Sequence, residues 1–94
     1  MRLVKRPVIW FEDGIKFEGE WTRGKQPVRM GRGVQIWPDG SRYEGYWKEG
    51  KAWGPGRLIH SNGDCYEGNW ENGQANGLGI YIHADGSKYI GEFK

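Results

Sequence analysis

The sequence lacks features that several classes of protein require. It has one cysteine, Cys65, so no disulfide can form within the chain, which favours a reducing compartment. No apolar run approaches the ~20 residues that span a bilayer as a helix, and the N-terminus lacks the apolar core of a signal peptide. These absences predict a soluble, cytoplasmic protein.

Apolar residues are also scarce, at 36% of the chain, whereas an average domain has about 45–50%. Glycine is abundant instead, with 17 in 94 residues, and each glycine inside a helix would cost about 1 kcal/mol relative to alanine. The aromatic content of 15% argues against disorder. The composition therefore favours an extended, turn-rich β structure over a helical or thick-cored domain.

Charge of neither sign dominates, since the formal net charge is +2. We therefore expect no nucleic-acid partner and weak or no membrane binding. The distribution is uneven, however, because residues 1–32 contain 8 basic and 4 acidic side chains. The N-terminal third is the part that could attract an anionic surface.

Aromatic-x-glycine triplets recur along the chain, and such internal repeats indicate repeat architectures. The triplets are Phe17-Glu18-Gly19, Tyr43-Glu44-Gly45, Tyr66-Glu67-Gly68 and Tyr89-Ile90-Gly91. The spacing is 23 residues except for a first gap of 26, whose extra residues lie between Gly24 and Gly31. This predicts a lead-in at 1–6 and an array at 7–94, with half-units at 7–16 and 89–94 and full units at 17–42, 43–65 and 66–88.

Each unit divides into two strand-like segments. In the unit that begins at Tyr43, a period of two sends Tyr43, Gly45 and Trp47 to one face and Glu44 and Tyr46 to the other. Asp-Gly or Asn-Gly follows the second segment of each unit, which is a strong hairpin signal. The predicted fold is all-β: an elongated, single-layer antiparallel meander of stacked hairpins.

Glycines and aromatic rings share one face of the predicted sheet. A single sheet has to cover this face with its own side chains, and large rings can lie flat only where neighbouring positions have no side chain. We therefore assign an architectural role to the repeated positions, including the Gly-x-Gly pairs, as packing residues. These are Phe17, Gly19, Tyr43, Gly45, Gly54, Gly56, Tyr66, Gly68, Gly77, Gly79, Tyr89 and Gly91.

The recurring pattern Tyr-x-Gly-x-Trp-x-x-Gly, followed by Gly-x-Gly, with a period of 23 residues, resembles the MORN repeat (membrane occupation and recognition nexus). The resemblance extends from about residue 7 to residue 94. It implies stacked β-hairpins in an elongated, twisted single sheet. The family includes scaffolds, ciliary and cytoskeletal proteins, junctional membrane proteins and appendages to enzymes, so the resemblance specifies function only loosely.

Residues for catalysis are few. His60 and His83 occupy equivalent repeat positions, which favours a structural role, and Cys65 beside a turn is expected to be exposed or half-exposed and incidental. No Ser/His/Asp set, Cys/His pair or CxxC spacing is present. We predict no enzymatic activity, no metal site and no cofactor.

Candidate binding residues lie on both faces. The first choice is an open groove at the outer edge of the ring face, whose tryptophans Trp21, Trp47 and Trp70 are expected to lie mainly in the core. Tyr46 and Trp53, the latter expected in a loop, are aromatic residues that the repeat does not require. On the opposite face, the isoleucine row of Ile36, Ile59 and Ile82 beside an acidic row is either a soluble β surface or a docking strip.

Two functions follow from these patterns. The leading hypothesis is a protein-interaction module of a cytoskeletal or ciliary scaffold, which binds an amphipathic helix or another repeat array. The alternative is a module that binds anionic lipid through the basic N-terminal third. Unpaired edge strands at the half-units also predict edge-to-edge self-association, or a place in a longer array.

Overall fold

The computed structural model describes residues 2–93 as one antiparallel sheet of eight strands. The strands are β1 (Leu3–Trp10), β2 (Lys16–Thr22), β3 (Arg29–Ile36), β4 (Arg42–Lys48), β5 (Lys51–Ile59), β6 (Cys65–Glu71), β7 (Gln74–Ile82) and β8 (Lys88–Phe93). Each strand pairs with its neighbour in sequence, so the sheet is an open meander of 45 × 26 × 17 Å. The predicted all-β, single-layer fold is confirmed.

Strand β1 begins four positions before the predicted half-unit. The lead-in at 1–6 has no strong sequence pattern, but β1 starts at Leu3 and pairs with β2. Pairing explains the difference, because Val4 lies opposite Trp21 and Arg6 opposite Gly19. Pairing with β2 therefore makes a strand of a segment whose own sequence shows no clear pattern.

Two kinds of turn connect the strands. At one end of the sheet, the expected glycine turns close the hairpins, with Gly40, Gly63 and Gly86 each donating a backbone hydrogen bond to the residue three positions earlier. At the other end, Glu49-Gly50 and Asn72-Gly73 form two-residue turns in which every φ lies between 52° and 83°, as in a type I′ hairpin. The first unit has a longer loop here, at 23–28, where the extra residues were predicted.

A continuous ladder of aromatic rings forms the core on one face, which we call the ring face. Adjacent rings meet edge to face, with centroids 4.6–5.6 Å apart. The order along the ladder is Trp21, Phe17, Trp47, Tyr43, Trp70, Tyr66, Phe93 and Tyr89. Edge-to-face pairs add about 0.5–1.5 kcal/mol each to the burial of the rings, so each unit is stabilised mainly by its neighbours.

Glycines opposite one another leave the space that the rings fill. Gly45 pairs with Gly56 across β4 and β5, and a Cβ added at Gly56 would lie 2.6 Å from two carbons of the Tyr43 ring. The same relation joins Tyr66 to Gly79. The prediction that rings lie over glycines is confirmed at these positions.

Gly54 and Gly77 serve a different purpose from the predicted one. A Cβ at Gly54 would approach nothing closer than 3.9 Å, and one at Gly77 would meet nothing within 4 Å, so neither makes room for a ring. Their φ angles are +77° and +83°, a region that other L-residues rarely adopt. Both lie where the strand bulges and its register shifts, so backbone conformation requires glycine there.

Candidate functional site

A concave groove of about 470 Å³ lies on the ring face beside the aromatic ladder. We call it the ring-side groove. Its lining includes Arg29, Gln35, Trp37, Tyr43, Leu58 and His60, which come from β3, β4, β5 and the turns that follow them. The groove combines aromatic and aliphatic surface with a few polar groups, which is typical of binding sites.

The three tryptophans predicted on this face lie in the core. Trp21, Trp47 and Trp70 are only 6–9% exposed, because each indole packs against the phenyl or phenol rings beside it. The indole Nε1 of Trp47 also donates to the carbonyl oxygen of Gly33 at 3.1 Å. Trp47 and Trp70 form the floor of the groove, and partner contact by all three tryptophans stays a prediction.

The groove wall is formed by residues that were not among the predicted contacts. Trp37 and His60 occupy equivalent repeat positions and are half-buried, as is Leu58 on the second strand of its unit. The recurrence of large rings at 37, 60 and 83 was visible in the sequence, but it was interpreted as a strand-end feature. The depth of the groove between these residues and the ladder could be seen only in the structure.

Arg29 is the arginine of the groove, whose lining also includes Lys51. Its guanidinium lies over the rings of Trp47, Phe11 and Phe17, with centroid distances of 4.8, 5.3 and 5.5 Å. Nη1 donates to Oε1 of Gln35, and Nη2 donates to the carbonyl oxygen of Gly50 at 3.0 Å. Burial lowers the pKa of Arg29, but a guanidinium stays charged at neutral pH.

A second polar cluster lies near the turns, where β6 begins and β7 ends. The hydroxyl of Tyr81 donates to Oδ2 of Asp64 at 2.8 Å, and the amide of Ala84 donates to Oδ1 at 2.9 Å. These hydrogen bonds lower the pKa of Asp64, with that from Tyr81 the larger cause. His83 lies 3.7 Å from the same carboxylate. The hydrogen bond from Ala84 to Asp64 joins two turns.

The isoleucine row on the opposite face is less open than a docking strip requires. Ile36, Ile59 and Ile82 are half-buried, and Cys65 lies between Ile59 and Ile82 in the strand register. Cys65 is 8% exposed, so the prediction of an exposed or half-exposed thiol was wrong. Its neighbours on both adjacent strands are large enough to cover it.

The acidic row beside the isoleucines is interrupted by arginines. Arg57 lies between Glu44 and Glu67 in the strand register and pairs with Glu67 at 3.3 Å, while Arg42 pairs with Glu44. The prediction followed only the first strand of each unit and missed the arginine on the second. This surface is one of alternating charge.

Trp53 and Tyr46 lie on the opposite face from the groove. Trp53 was expected in a loop, but it lies within β5 at the bulge, 45% exposed, with Nζ of Lys48 5.0 Å from its ring centroid. Tyr46 is also exposed, and the guanidinium of Arg32 lies 5.5 Å from its ring. The two rings lie beside cations of the chain, and their role in partner binding stays a prediction.

The basic residues of the N-terminal third do not share one surface. Arg6 and Arg29 pair with Gly19 and Trp21 and so lie on the ring face, whereas Lys5 and Arg32 pair with Glu20 and Tyr46 on the opposite face. Alternation along the strands divides them. No single flat basic patch results from these four side chains.

Metal and membrane signals are absent from the described part of the chain. Within residues 2–93, no group of three His, Cys, Asp or Glu side chains could hold a metal ion. The same residues form no helix with the length and apolarity that crossing a bilayer requires.

The sequence was compared with family models and with curated proteins. The model of the MORN repeat matches residues 17–26, 28–42, 43–65 and 66–88, which is well over half of the chain. The resemblance noted from the triplet spacing is thereby confirmed. The search of curated proteins found no match. Repeats of this kind are generally non-catalytic modules for protein or membrane interaction.

Proposed function

The chain belongs to the MORN repeat family, and from that premise we propose that it is a non-catalytic scaffold module that binds an elongated protein segment in the ring-side groove. The observation that carries this proposal is the groove itself, with Trp37, Leu58 and His60 half-buried beside a rigid aromatic floor. A preformed apolar surface lowers the ordering cost of binding.

An amphipathic helix is the partner form that this surface favours. A helix of about 10 Å diameter can lay an apolar stripe along a groove and keep its polar side in water. Another repeat array is the second kind of protein partner that we propose. A place in a cytoskeletal or ciliary assembly also belongs to the proposal and is supported by the family alone.

Lipid binding is the competing function, and the arrangement of charge weighs against it. Basic side chains near an anionic surface contribute about 1 kcal/mol each, and here they are divided between two faces. Co-sedimentation with phosphatidylcholine vesicles that contain phosphatidylinositol bisphosphate should show little binding at physiological salt. Strong binding under that condition would reverse the order of the two functions.

Affinity capture from cell extract with matched variants tests the groove. The repeat supplies substitutions that the fold already accepts: Trp37→His, since histidine occurs at 60 and 83, and Leu58→Gln, since Gln35 is equivalent to Leu58. Trp53→Asn is the control on the opposite face, because Asn76 holds the equivalent position. We expect the groove variants to lose a partner that the control retains. Loss of the partner only with Trp53→Asn would refute the proposal.

Edge-to-edge association is a separate proposal. Tyr89 on the edge strand β8 is 54% exposed, whereas the equivalent Tyr43 and Tyr66 are at most 3% exposed. A strand added beside β8 would cover this ring and satisfy the free backbone groups. Light scattering should show a mass that rises with concentration, and a constant 10.8 kDa species would contradict the proposal.

A further inference from the structure

Arg29 and Gln35 depart from the repeat at two positions that are apolar in the later units. Arg29 lies opposite Trp21, where Ala52 lies opposite Trp47 and Ala75 lies opposite Trp70. The position of Gln35 is occupied by Leu58 and Tyr81 in the later units. The two exceptional residues contact each other, so the first unit has a polar pair where its successors have apolar side chains.

The charge of Arg29 has no partner of opposite sign within ion-pair distance. Among residues 2–93, no carboxylate oxygen lies within 4 Å of its guanidinium, which instead contacts three aromatic rings. A partly buried charge without a counter-ion loses hydration that the folded chain does not fully replace. An anion bound at this position would supply the counter-ion that the guanidinium lacks.

Hydrogen-bond donors remain available at the pair. A guanidinium has five N–H groups, and contacts to Gln35 and to the Gly50 carbonyl use two of them. Arginine can only donate, so the side-chain oxygen of Gln35 has to face Arg29 and its amide NH₂ points away. That NH₂ makes no hydrogen bond to a described residue, and it is not one of the fully buried polar atoms that lack a partner, so it faces water. Gln35 therefore presents an unused donor on the floor of the groove.

We propose that Arg29 and Gln35 bind the carboxylate of an acidic side chain, carried by the protein segment that occupies the ring-side groove. The inference rests on the proposed function and names the chemistry of its partner. A carboxylate has two oxygens in one plane, and it can accept from the guanidinium and the Gln35 amide together. Leu58 and Trp37 then contact an apolar neighbour of the acidic residue.

A single negative charge suits this site better than a phosphate group does. Only one guanidinium lines this site, and three carboxylates lie near it: Glu12 and Asp13 line a depression of about 490 Å³ on one side of Arg29, and Asp39 lines the ring-side groove together with Lys51. These carboxylates would repel a dianion more strongly than a monoanion. The partner segment is therefore apolar with one acidic residue.

Nuclear magnetic resonance titration with a matched pair of blocked peptides tests the inference. The probes are N-acetyl-Leu-Glu-Leu-amide and its Leu-Gln-Leu twin, with methyl phosphate as a third probe, all at constant ionic strength. We expect the Glu peptide to shift the side-chain signals of Arg29 Nε–H and Gln35 NH₂ saturably, with an affinity about tenfold above that of the Gln peptide, as one charge-assisted hydrogen bond gives.

The control variant is Arg29→Ala combined with Gln35→Leu, which copies Ala52 and Leu58. Because these residues already occupy the same positions in the next unit, the variant should fold and should bind both peptides equally. Equal binding of both peptides by the unaltered chain would refute the carboxylate site but leave the groove in place. Tighter binding of methyl phosphate than of the Glu peptide would also refute it, and absence of any saturable shift would count against site and groove together.

Discussion

At the scale of single residues, the fold depends on glycines with two different duties. Gly56 has no side chain because the Tyr43 ring occupies that space, whereas Gly77 is free of neighbours and holds a positive φ. Both positions are repeated glycines in the sequence, so composition and spacing could not distinguish their two roles. The distinction predicts different responses to the same substitution.

Gly56→Ala should destabilise the chain far more than Gly77→Ala. The first forces a Cβ to within 2.6 Å of two Tyr43 ring carbons, and overpacking against that ring should cost about 3 kcal/mol or more. The second costs only the strain of a left-handed alanine, about 1–2 kcal/mol. Urea unfolding of the two variants measures both values. Equal losses would contradict the assignment.

Tyr43 should make stability sensitive to alkaline pH. Burial raises the pKa of its hydroxyl from 10.0 to about 12, and the hydroxyl donates to the Tyr46 carbonyl oxygen at 3.0 Å. Since the folded-state pKa is the higher one, this contribution is complete below pH 10 and is lost as pH rises through about 12. In Tyr43→Phe, which copies Phe17, the melting temperature should fall less steeply as the pH rises over this range. An unchanged slope would exclude Tyr43 as a cause.

At the scale of elements, the hairpins specify the sheet. The alternation of faces, the Asp-Gly and Asn-Gly turns and the loop insertion were all predictable, because period-two patterning and turn chemistry are local. The bulge at Trp53 and the strand at Leu3 were not, since both depend on pairing with a neighbouring strand. Burial of Cys65 was missed for the same reason: its neighbours Ile59 and Ile82 lie on other strands.

The turn at Glu49-Gly50 contains a residue that is poorly suited to its conformation. Glu49 has a φ of 52°, and the equivalent Asn72 has a φ of 53°. Asparagine tolerates this region better than glutamate does. Glu49→Asn should therefore raise the free energy of unfolding by about 0.5–1 kcal/mol.

Chemical denaturation checks this value, and the reverse substitution Asn72→Glu serves as its control with the opposite sign. A destabilised Glu49→Asn variant would show that Glu49 makes a contact worth more than the strain of its turn.

At the scale of the whole molecule, the aromatic ladder makes stability a sum over neighbouring units. Within residues 2–93, Trp47 contacts the rings of both Phe17 and Tyr43, whereas Trp21 contacts the ring of Phe17 alone. The sequence predicted the rings of the core and the ring face as a binding surface. It also predicted that the tryptophans lie mainly in the core, but the extent of their burial could be seen only in the structure, because their coverage comes from adjacent units.

Trp47→Ala should therefore cost more than Trp21→Ala. Removal of a buried tryptophan costs about 3–5 kcal/mol, and the loss at Trp47 should lie at the upper end, because the variant breaks the ladder in its interior. Thermal unfolding followed by circular dichroism compares the two variants. A larger loss for Trp21→Ala would show that stability is not distributed along the ladder as neighbour contacts.

The groove is the feature in which architecture and proposed function meet, because the ladder that stabilises the sheet also forms its floor. Photo-crosslinking tests this most directly, with benzoylphenylalanine placed at Trp37 in the groove or at Trp53 on the opposite face and the adducts identified by mass spectrometry. We predict a protein adduct from position 37 and none from position 53. Adducts only from position 53, or lipid adducts from either position, would contradict the account.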